Sequence, residues 1–442
     1  MSFVKTKKLT YVKILSIIFI SIYLLNIIFS LPKANSQNNE DTYRQLTLFG
    51  DVFQRVRTDY VEEITDKELI EAAINGMLTS LDPHSSYVSD ESFEKMKVNT
   101  SGKFGGLGIE VTMENGFVKV VSPIDDTPAA KAGIQPEDLI LSVDKESIVG
   151  LNLSEAVDKL RGPIGSEVII TIQRKKDEPF EVKIIRDEIK ISSVKHKLFD
   201  SIGYIRIKTF TEQTSPGIQK SIKELFDESD NKLHGIIIDL RNNPGGLLSE
   251  AVKVTDTFLE KGEIVSTRGR DKNNITHAYA KPGDLAKGLP IVVLINEGSA
   301  SASEIVAGAL KDHKRAVLMG TRSFGKGSVQ TIVPMPGHGA IRLTTARYFT
   351  PSGISIQAKG IEPDIEVAMA KIEKLDESLF SDYREEDLRG ALDKNQKEEE
   401  KLDENETEKS EDLNSKYLED YQLSRALDLL NGLKVYQSIN SN

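Results

Sequence analysis

Apolar positions recur along this chain in three successive rhythms. From Asp41 to about Met96 the period is helical: Leu46, Phe49, Phe53 and Val56, then Leu69, Ile70, Ala73, Ile74 and Met77, fall three and four residues apart. Asp66 begins the second helix with a capping signal, and Leu81-Asp82-Pro83-His84 ends it in a turn. From Gly102 to Asp187 short strands take over. Ile109, Val111 and Met113 alternate ahead of a Glu114-Asn115-Gly116 hairpin signal, and Val118–Val121 follows. A short helix stopped at Gly133, a strand at Asp138–Val143, a helix from about Ser154 to Leu160, and strands at Val168–Gln173 and Phe180–Ile185 complete the unit. From Ile189 to about Ile365 strand and helix alternate. Strands are expected at Ile202–Ile207, His234–Arg241, Ile291–Ile295, Arg315–Met319, Thr331–Val333 and Ala340–Tyr348, with helices at Ser215–Phe226, Leu247–Leu259 and about Ser301–Lys311. That pattern predicts an α/β domain with helices layered on a sheet. Ligands in such domains collect in loops leaving strand ends, here Asn242–Gly246 and Glu297–Ser301.

The two ends differ from the middle. Lys5, Lys7, Lys8 and Lys13 precede an uncharged apolar run from Ile14 to Leu31 and a small-residue end at Ala34-Asn35-Ser36. These are the parts of a secretory signal cleaved after Ser36, and the run is also just long enough for an uncleaved membrane anchor. Either way the basic flank stays cytoplasmic and the remainder is exported, to a periplasmic or cell-envelope space. Near the other end, Glu398–Asp412 is mostly acidic, lacks apolar periodicity and is expected to be disordered. A last amphipathic helix, Tyr421–Leu433, is expected to dock on the body or on a second chain. The domain reading is therefore 1–36 signal or anchor, 37–98 helical arm, 99–188 β-rich module, 189–368 α/β core, 369–415 acidic segment and 416–442 final helix. The arm packs on its own domain or, in a sharper reading, makes a homodimer or higher oligomer.

Composition narrows the function. The 442 residues carry a net charge of −11, which argues against nucleic-acid binding. There is no cysteine, so disulfides, zinc–thiolate sites and cysteine nucleophiles are excluded. No metal or cofactor is expected.

In the β-rich unit, Gly105-Gly106-Leu107-Gly108-Ile109, Ala132-Gly133-Ile134-Gln135-Pro136-Glu137-Asp138-Leu139-Ile140 and Leu160-Arg161-Gly162-Pro163-Ile164-Gly165-Ser166 occur together. Over about 85 residues this resembles a bacterial, circularly permuted PDZ domain. Glycines at 106 and 108 let the backbone N–H groups around Gly106, Leu107, Gly108 and Ile109 converge on a peptide's terminal carboxylate. The following strand can accept an added strand, and the helix from Ser154 would wall an apolar pocket.

The stretch Leu289–Thr331 holds the candidate chemistry. Ser299, Ser301 and Ser303 alternate with Ala300 and Ala302 at a helix start, and Ser301-Ala302-Ser303-Glu304 fits a capping box. A hydroxyl at such an elbow is also a candidate nucleophile, with helix N–H groups near to stabilise an oxyanion. Lys326 lies in Phe324-Gly325-Lys326-Gly327. To serve as a base it must lose about 4 kcal/mol of its preference for the charged form, by desolvation or charge repulsion. Gly320–Lys326 fits a phosphate loop, but Gly327 replaces the required hydroxyl and a strand follows in place of a helix. None of the six histidines sits in a triad motif, and His313 reads as a helix C-terminal dipole partner.

Gly298–Ile305 followed by Phe324–Gln330, with Lys326 25 positions after Ser301, resembles the core of the carboxyl-terminal processing (tail-specific) serine peptidases. Asp239–Gly246, Lys359–Asp364 and the order of arm, PDZ module and core resemble the same family. The resemblance implies a crotonase-like layered core with an inserted PDZ domain and an N-terminal helical arm. It implies Ser301 as nucleophile, Lys326 as base, Gln330 orienting the lysine, and an oxyanion hole from the N–H of Ala302 with that of Gly245 or Gly246. Arg161 would couple ligand binding to the active arrangement. The partners implied are polypeptides with exposed C-termini, and the membrane if the N-terminal segment is retained. The alternative is a catalytically silent PDZ adaptor that presents tails to another protease.

Overall fold

In a computed structural model, residues 36–124, 126–271, 273, 275–370 and 420–440 are described. The expected signal or anchor and the expected acidic disordered segment lie outside these residues, apart from short flanks. Among the described residues, no helix is long and apolar enough to cross a membrane. The contacts divide the chain after Ser80.

The first unit holds α1 (Ser36–Asp59) and α2 (Asp66–Thr79). Thr65 caps α2: its hydroxyl accepts from the Glu68 N–H, and the Glu68 carboxylate accepts from the Thr65 N–H. Tyr43, Leu46, Phe49 and Val52 of α1 are more than half exposed.

The second unit begins with β1 (Ser86–Val88), α3 (Asp90–Ser101) and β2 (Lys103–Gly106). The helical pattern expected up to Met96 is thus broken by a strand. β1 pairs with a strand some 250 residues later, a constraint that no local periodicity carries. The β-rich module follows: β3 (Ile109–Glu114), β4 (Phe117–Pro123), α4 (Pro128–Lys131), β5 (Leu139–Val143), β6 (Glu146–Ser147), α5 (Leu153–Leu160), β7 (Glu167–Gln173) and β8 (Phe180–Ile185). Its sheet runs β3-β4-β5-β7-β8 with β6 on β5, so β3 is an edge strand. Val118, Ile140, Val168, Ile170 and Ile172 form its core. β9 (Asp187–Lys190) then pairs with β2 outside that sheet.

The α/β core contains β10 (Val194–Phe199), β11 (Ile202–Ile207), α6 (Thr214–Glu228), β12 (Gly235–Asp239), α7 (Leu248–Asp256), β13 (Gly262–Gly269), β14 (Ile275–Ala280), β15 (Ile291–Ile295), α8 (Ala302–Asp312), β16 (Val317–Gly320), β17 (Ser328–Pro334), β18 (Ala340–Phe349), β19 (Ile365–Glu366) and α9 (Tyr421–Asn440). One sheet runs β10-β11-β12-β15-β16-β19, parallel except for β10 against β11. Both of its faces are covered, which is why β12 and β15 read as unbroken apolar runs. Ile236 and Ile238 point into a core shared with α6, α7 and α8, whereas Ile237 points into one shared with α9. The second sheet runs β1-β18-β13-β14, with β17 on β18.

The final helix docks on its own chain. Leu423, Ala426 and Leu430 are buried against Tyr204, Ile237 and Leu294. Arg241, two residues past β12, donates to the Asp420 carboxylate at 2.6 and 2.8 Å and to Gln422 Oε1 at 3.0 Å. Gln422 in turn donates to the Val367 carbonyl at 2.7 Å. Leu423→Ala should therefore cost about 2–5 kcal/mol of stability through the cavity it leaves. The check is the urea unfolding midpoint, and a midpoint equal to the parent's would contradict this docking.

Candidate active site

β12 and β15 are parallel neighbours, so the loops leaving their C-terminal ends emerge side by side. Asn242 N–H donates to Asn296 Oδ1 at 2.8 Å, and the Asn296 amide donates back to Asn242 Oδ1 at 2.9 Å. The Asn243 carbonyl accepts from Ala300 N–H at 3.0 Å and from Ser303 Oγ at 2.9 Å. The two candidate loops form one hydrogen-bonded surface.

That surface separates the three serines. Ser299 is fully buried and donates to the Leu240 carbonyl at 2.8 Å, and Ser303 is fully buried on Asn243. Ser301 is only partly buried, with φ 57° and ψ −112°. A serine at positive φ is strained, by roughly 1–3 kcal/mol. Its backbone N–H donates to Glu304 Oε2 at 2.7 Å. The Glu304 N–H goes to the Ser301 carbonyl at 2.9 Å, so serine and glutamate close a reciprocal capping box at the start of α8.

Glu304 reaches further. Fully buried, its carboxylate also accepts from Ser323 Oγ at 2.6 Å, Gly325 N–H at 2.7 Å and Lys326 N–H at 2.9 Å. Burial pushes its pKa up, opposed by these hydrogen bonds, which favour the charged form. One carboxylate thus fastens the serine elbow to the lysine loop. The sequence showed Glu304 as a cap only.

Lys326 is partly buried, and desolvation, followed by the charge of Arg342, lowers its pKa. Asp82 and Glu304 oppose that shift. Tyr348 of β18, almost wholly buried, donates from its hydroxyl to the Lys326 carbonyl and also engages Ser301. Its pKa is raised, chiefly by burial. Tyr348 escaped the sequence reading because it arrives from a strand with no motif of its own. Gln330 lies on β17, the strand that leaves the lysine loop. Its amide donates to Ser328 Oγ at 3.0 Å and Thr344 Oγ1 at 3.3 Å.

Of the expected oxyanion donors, Ala302 and Gly246 have N–H groups without a hydrogen-bond partner among the described residues. The Gly245 N–H instead donates to Asn243 Oδ1 at 2.9 Å. Gly245 is needed for closeness: a Cβ there would lie 2.8 Å from Ser301 Cβ and 2.9 Å from the Ala302 nitrogen. In the β-rich module, Gly106, Leu107, Gly108 and Ile109 line a groove of about 200 Å³ with Val157 and Leu160 of α5. Arg161 closes it, its guanidinium 4.4 Å from the Phe104 ring centre. Among the described residues there is no cluster of side chains able to hold a metal.

Residues 201–367 match the model of peptidase family S41, 119–174 that of a PDZ domain, and 28–92 that of the N-terminal domain of the activating protease CtpB. A "Carboxy-terminal-processing protease" of Bartonella bacilliformis is 56% identical over 359 residues, covering 81% of this chain and 82% of that one. A "Probable CtpA-like serine protease" of Staphylococcus epidermidis is 37% identical over 340 residues, 76% of this chain and 68% of that one. A solved photosystem II D1 C-terminal processing protease is 30% identical, with a TM-score of 0.43 over 70% of this chain and 84% of its own.

The strain at residue 301 gives a test. Ser301→Gly should be more stable than Ser301→Ala by about 1–3 kcal/mol, the reverse of the usual order of these residues near a helix. Thermal unfolding of the two variants decides it, and equal midpoints would refute strain at this elbow.

Proposed function

The chain belongs to peptidase family S41 as a carboxy-terminal-processing serine peptidase, and on that premise we propose that it is exported, captures protein C-termini in its PDZ groove and cleaves them by a serine/lysine mechanism. The observation that carries the mechanism is the shared clamp: Glu304 holds both the Ser301 elbow and the Lys326 loop, and Ser301 is the serine of its cluster that is not fully buried. Neutral Lys326 Nζ takes the Ser301 hydroxyl proton as Oγ attacks the substrate carbonyl. The N–H groups of Ala302 and Gly246 receive the oxyanion. Collapse forms the acyl-enzyme and breaks the C–N bond, with Lys326 returning its proton to the leaving amine. Water then releases the acyl group by the same route, again with Lys326 as base. Gly245 would join the oxyanion hole only if Asn243 let go of its N–H.

Capture follows from the groove. β3 is an open edge with room for an added strand, and a Cβ on Gly108, at φ 77°, would collide with Thr127. The loop can present N–H groups to a carboxylate because glycine stands there. Export rests on the basic-then-apolar N-terminus. Assembly into a dimer or higher oligomer is supported by the exposed apolar side chains of α1. N-terminal sequencing of the exported protein and its sedimentation measure these two.

Two measurements test the chemistry. A fluorophosphonate should label the parent chain at Ser301, and both Ser301→Ala and Lys326→Ala should lose cleavage of apolar-ended peptides. Peptide bound without labelling would point to a silent adaptor instead. Because the base must be neutral, kcat/KM should rise with pH through the Lys326 pKa, in a range below that of an ordinary lysine. An acid limb at the ordinary lysine value would remove Lys326 as the base.

A further inference from the structure

β18 has Gln330 of β17 opposite its Thr344, and on its other side it pairs with β1, placing Ser86 opposite Arg342. The turn entering β1, Leu81–Ser85, is thereby carried to the strand behind the lysine. Its Asp82 carboxylate accepts from His84 N–H at 2.7 Å, Ser85 N–H at 3.0 Å and Ser85 Oγ at 2.8 Å. It also reaches across the sheet to accept from Thr344 Oγ1 at 3.1 Å. Thr344 Oγ1 in turn accepts from Gln330 Nε2 at 3.3 Å. Ser85 Oγ accepts from Thr344 N–H at 3.1 Å, which ties the same two segments a second time. Burial pushes Asp82 up, but these hydrogen bonds outweigh it and hold the carboxyl below its usual range, so it is ionised at neutral pH.

An ionised carboxylate can only accept. The Thr344 hydroxyl must therefore give its single proton to Asp82, and its oxygen can only accept from Gln330. Gln330 must then present its NH2 to Thr344 and Ser328. Its Oε1 is left as the acceptor for a lysine ammonium. The amide leans back along β17 over Ser328, toward the Lys326 end of the strand. The direction of the whole chain of hydrogen bonds is set at residue 82.

We propose that Asp82 is a positioning residue of the peptidase reaction, fixing through Thr344 the orientation in which Gln330 meets Lys326 and lending its negative charge to the lysine's surroundings. The proposal rests on the serine/lysine reading above. The charged and titratable groups that face Lys326 are Arg342 and Tyr348 of β18, Glu304 of α8, and Asp82 and His84 of the turn. Burial and then the charge of Lys326 hold His84 below its ordinary pKa, so it is neutral where the enzyme would work. Asp82 is then the carboxylate of the turn that stabilises charged Lys326.

The test uses full-length chains, steady-state peptide cleavage and a pH profile. Asp82→Asn keeps the shape but gives residue 82 a donor and removes its charge. It should lower kcat roughly 10- to 100-fold with KM unchanged. It should also move the acid limb of kcat/KM to lower pH, because a charge favouring the ammonium is gone. Thr344→Val should lower kcat in the same way while leaving the acid limb in place, and Thr344→Ser should restore kcat. Parental kcat and acid limb in both Asp82→Asn and Thr344→Val would overturn the proposal. Should Asp82→Asn fail to fold, the threonine pair decides alone: parental kcat in Thr344→Val overturns it, and a loss restored by serine supports it. Fluorophosphonate labelling of Ser301 and the inactivity of Lys326→Ala are read in parallel. With both intact, flat profiles sink only the role of Asp82; without them the serine/lysine reading itself falls.

Discussion

The site depends on one buried carboxylate. Glu304 accepts hydrogen bonds from Ser301, Ser323, Gly325 and Lys326, drawn from two loops that the chain enters more than 20 residues apart. Three of those donors are backbone N–H groups, so the carboxylate fixes the path of the chain as well as the direction of a side chain. Hydrogen bonds to a charged group contribute about 1.5–3 kcal/mol each, and a donor left buried without one costs about as much. The same enclosure that raises the pKa of Glu304 keeps water from competing for its donors. Such a clamp can hold a strained residue at its centre, and Ser301 at positive φ is that residue.

Charge around the lysine is balanced by layers. Desolvation and Arg342 favour the neutral amine, while Asp82 and Glu304 favour the ammonium. A group that exchanges a proton near neutral pH needs both tendencies, since neither form can be strongly disfavoured. The opposing groups come from β18, α8 and the turn before β1, and that turn reaches β18 through the β1–β18 pairing.

A second network stands behind the Asn242–Gly246 loop. Asp239, fully buried, accepts from Tyr204, Arg206 and Arg241, and Arg241 is shared with Asp420 at the start of the final helix. The helix that closes the second face of the sheet is therefore bonded to the residue next to Asn242 and Asn243. Docking of the chain's end and placement of the loop are one packing problem, since a buried arginine requires both of its carboxylates.

The strands of the parallel sheet, the helices over it and the β-rich module were legible in the sequence, because apolar period and turn signals are local properties. The match to family S41 agrees with that reading of fold and class. Three assignments needed the folded chain. Among Ser299, Ser301 and Ser303 the alternation is symmetric, and only the packing of Asn243 and Leu240 ties down two of them. Whether the last helix covered its own sheet or another chain was undecided, because an amphipathic face does not name what it packs against. Leu81–Ser85 showed itself as a stop and a turn. Its place beside Gln330 and Lys326 exists only through β1 pairing with β18, a contact across some 250 residues that no window of sequence contains.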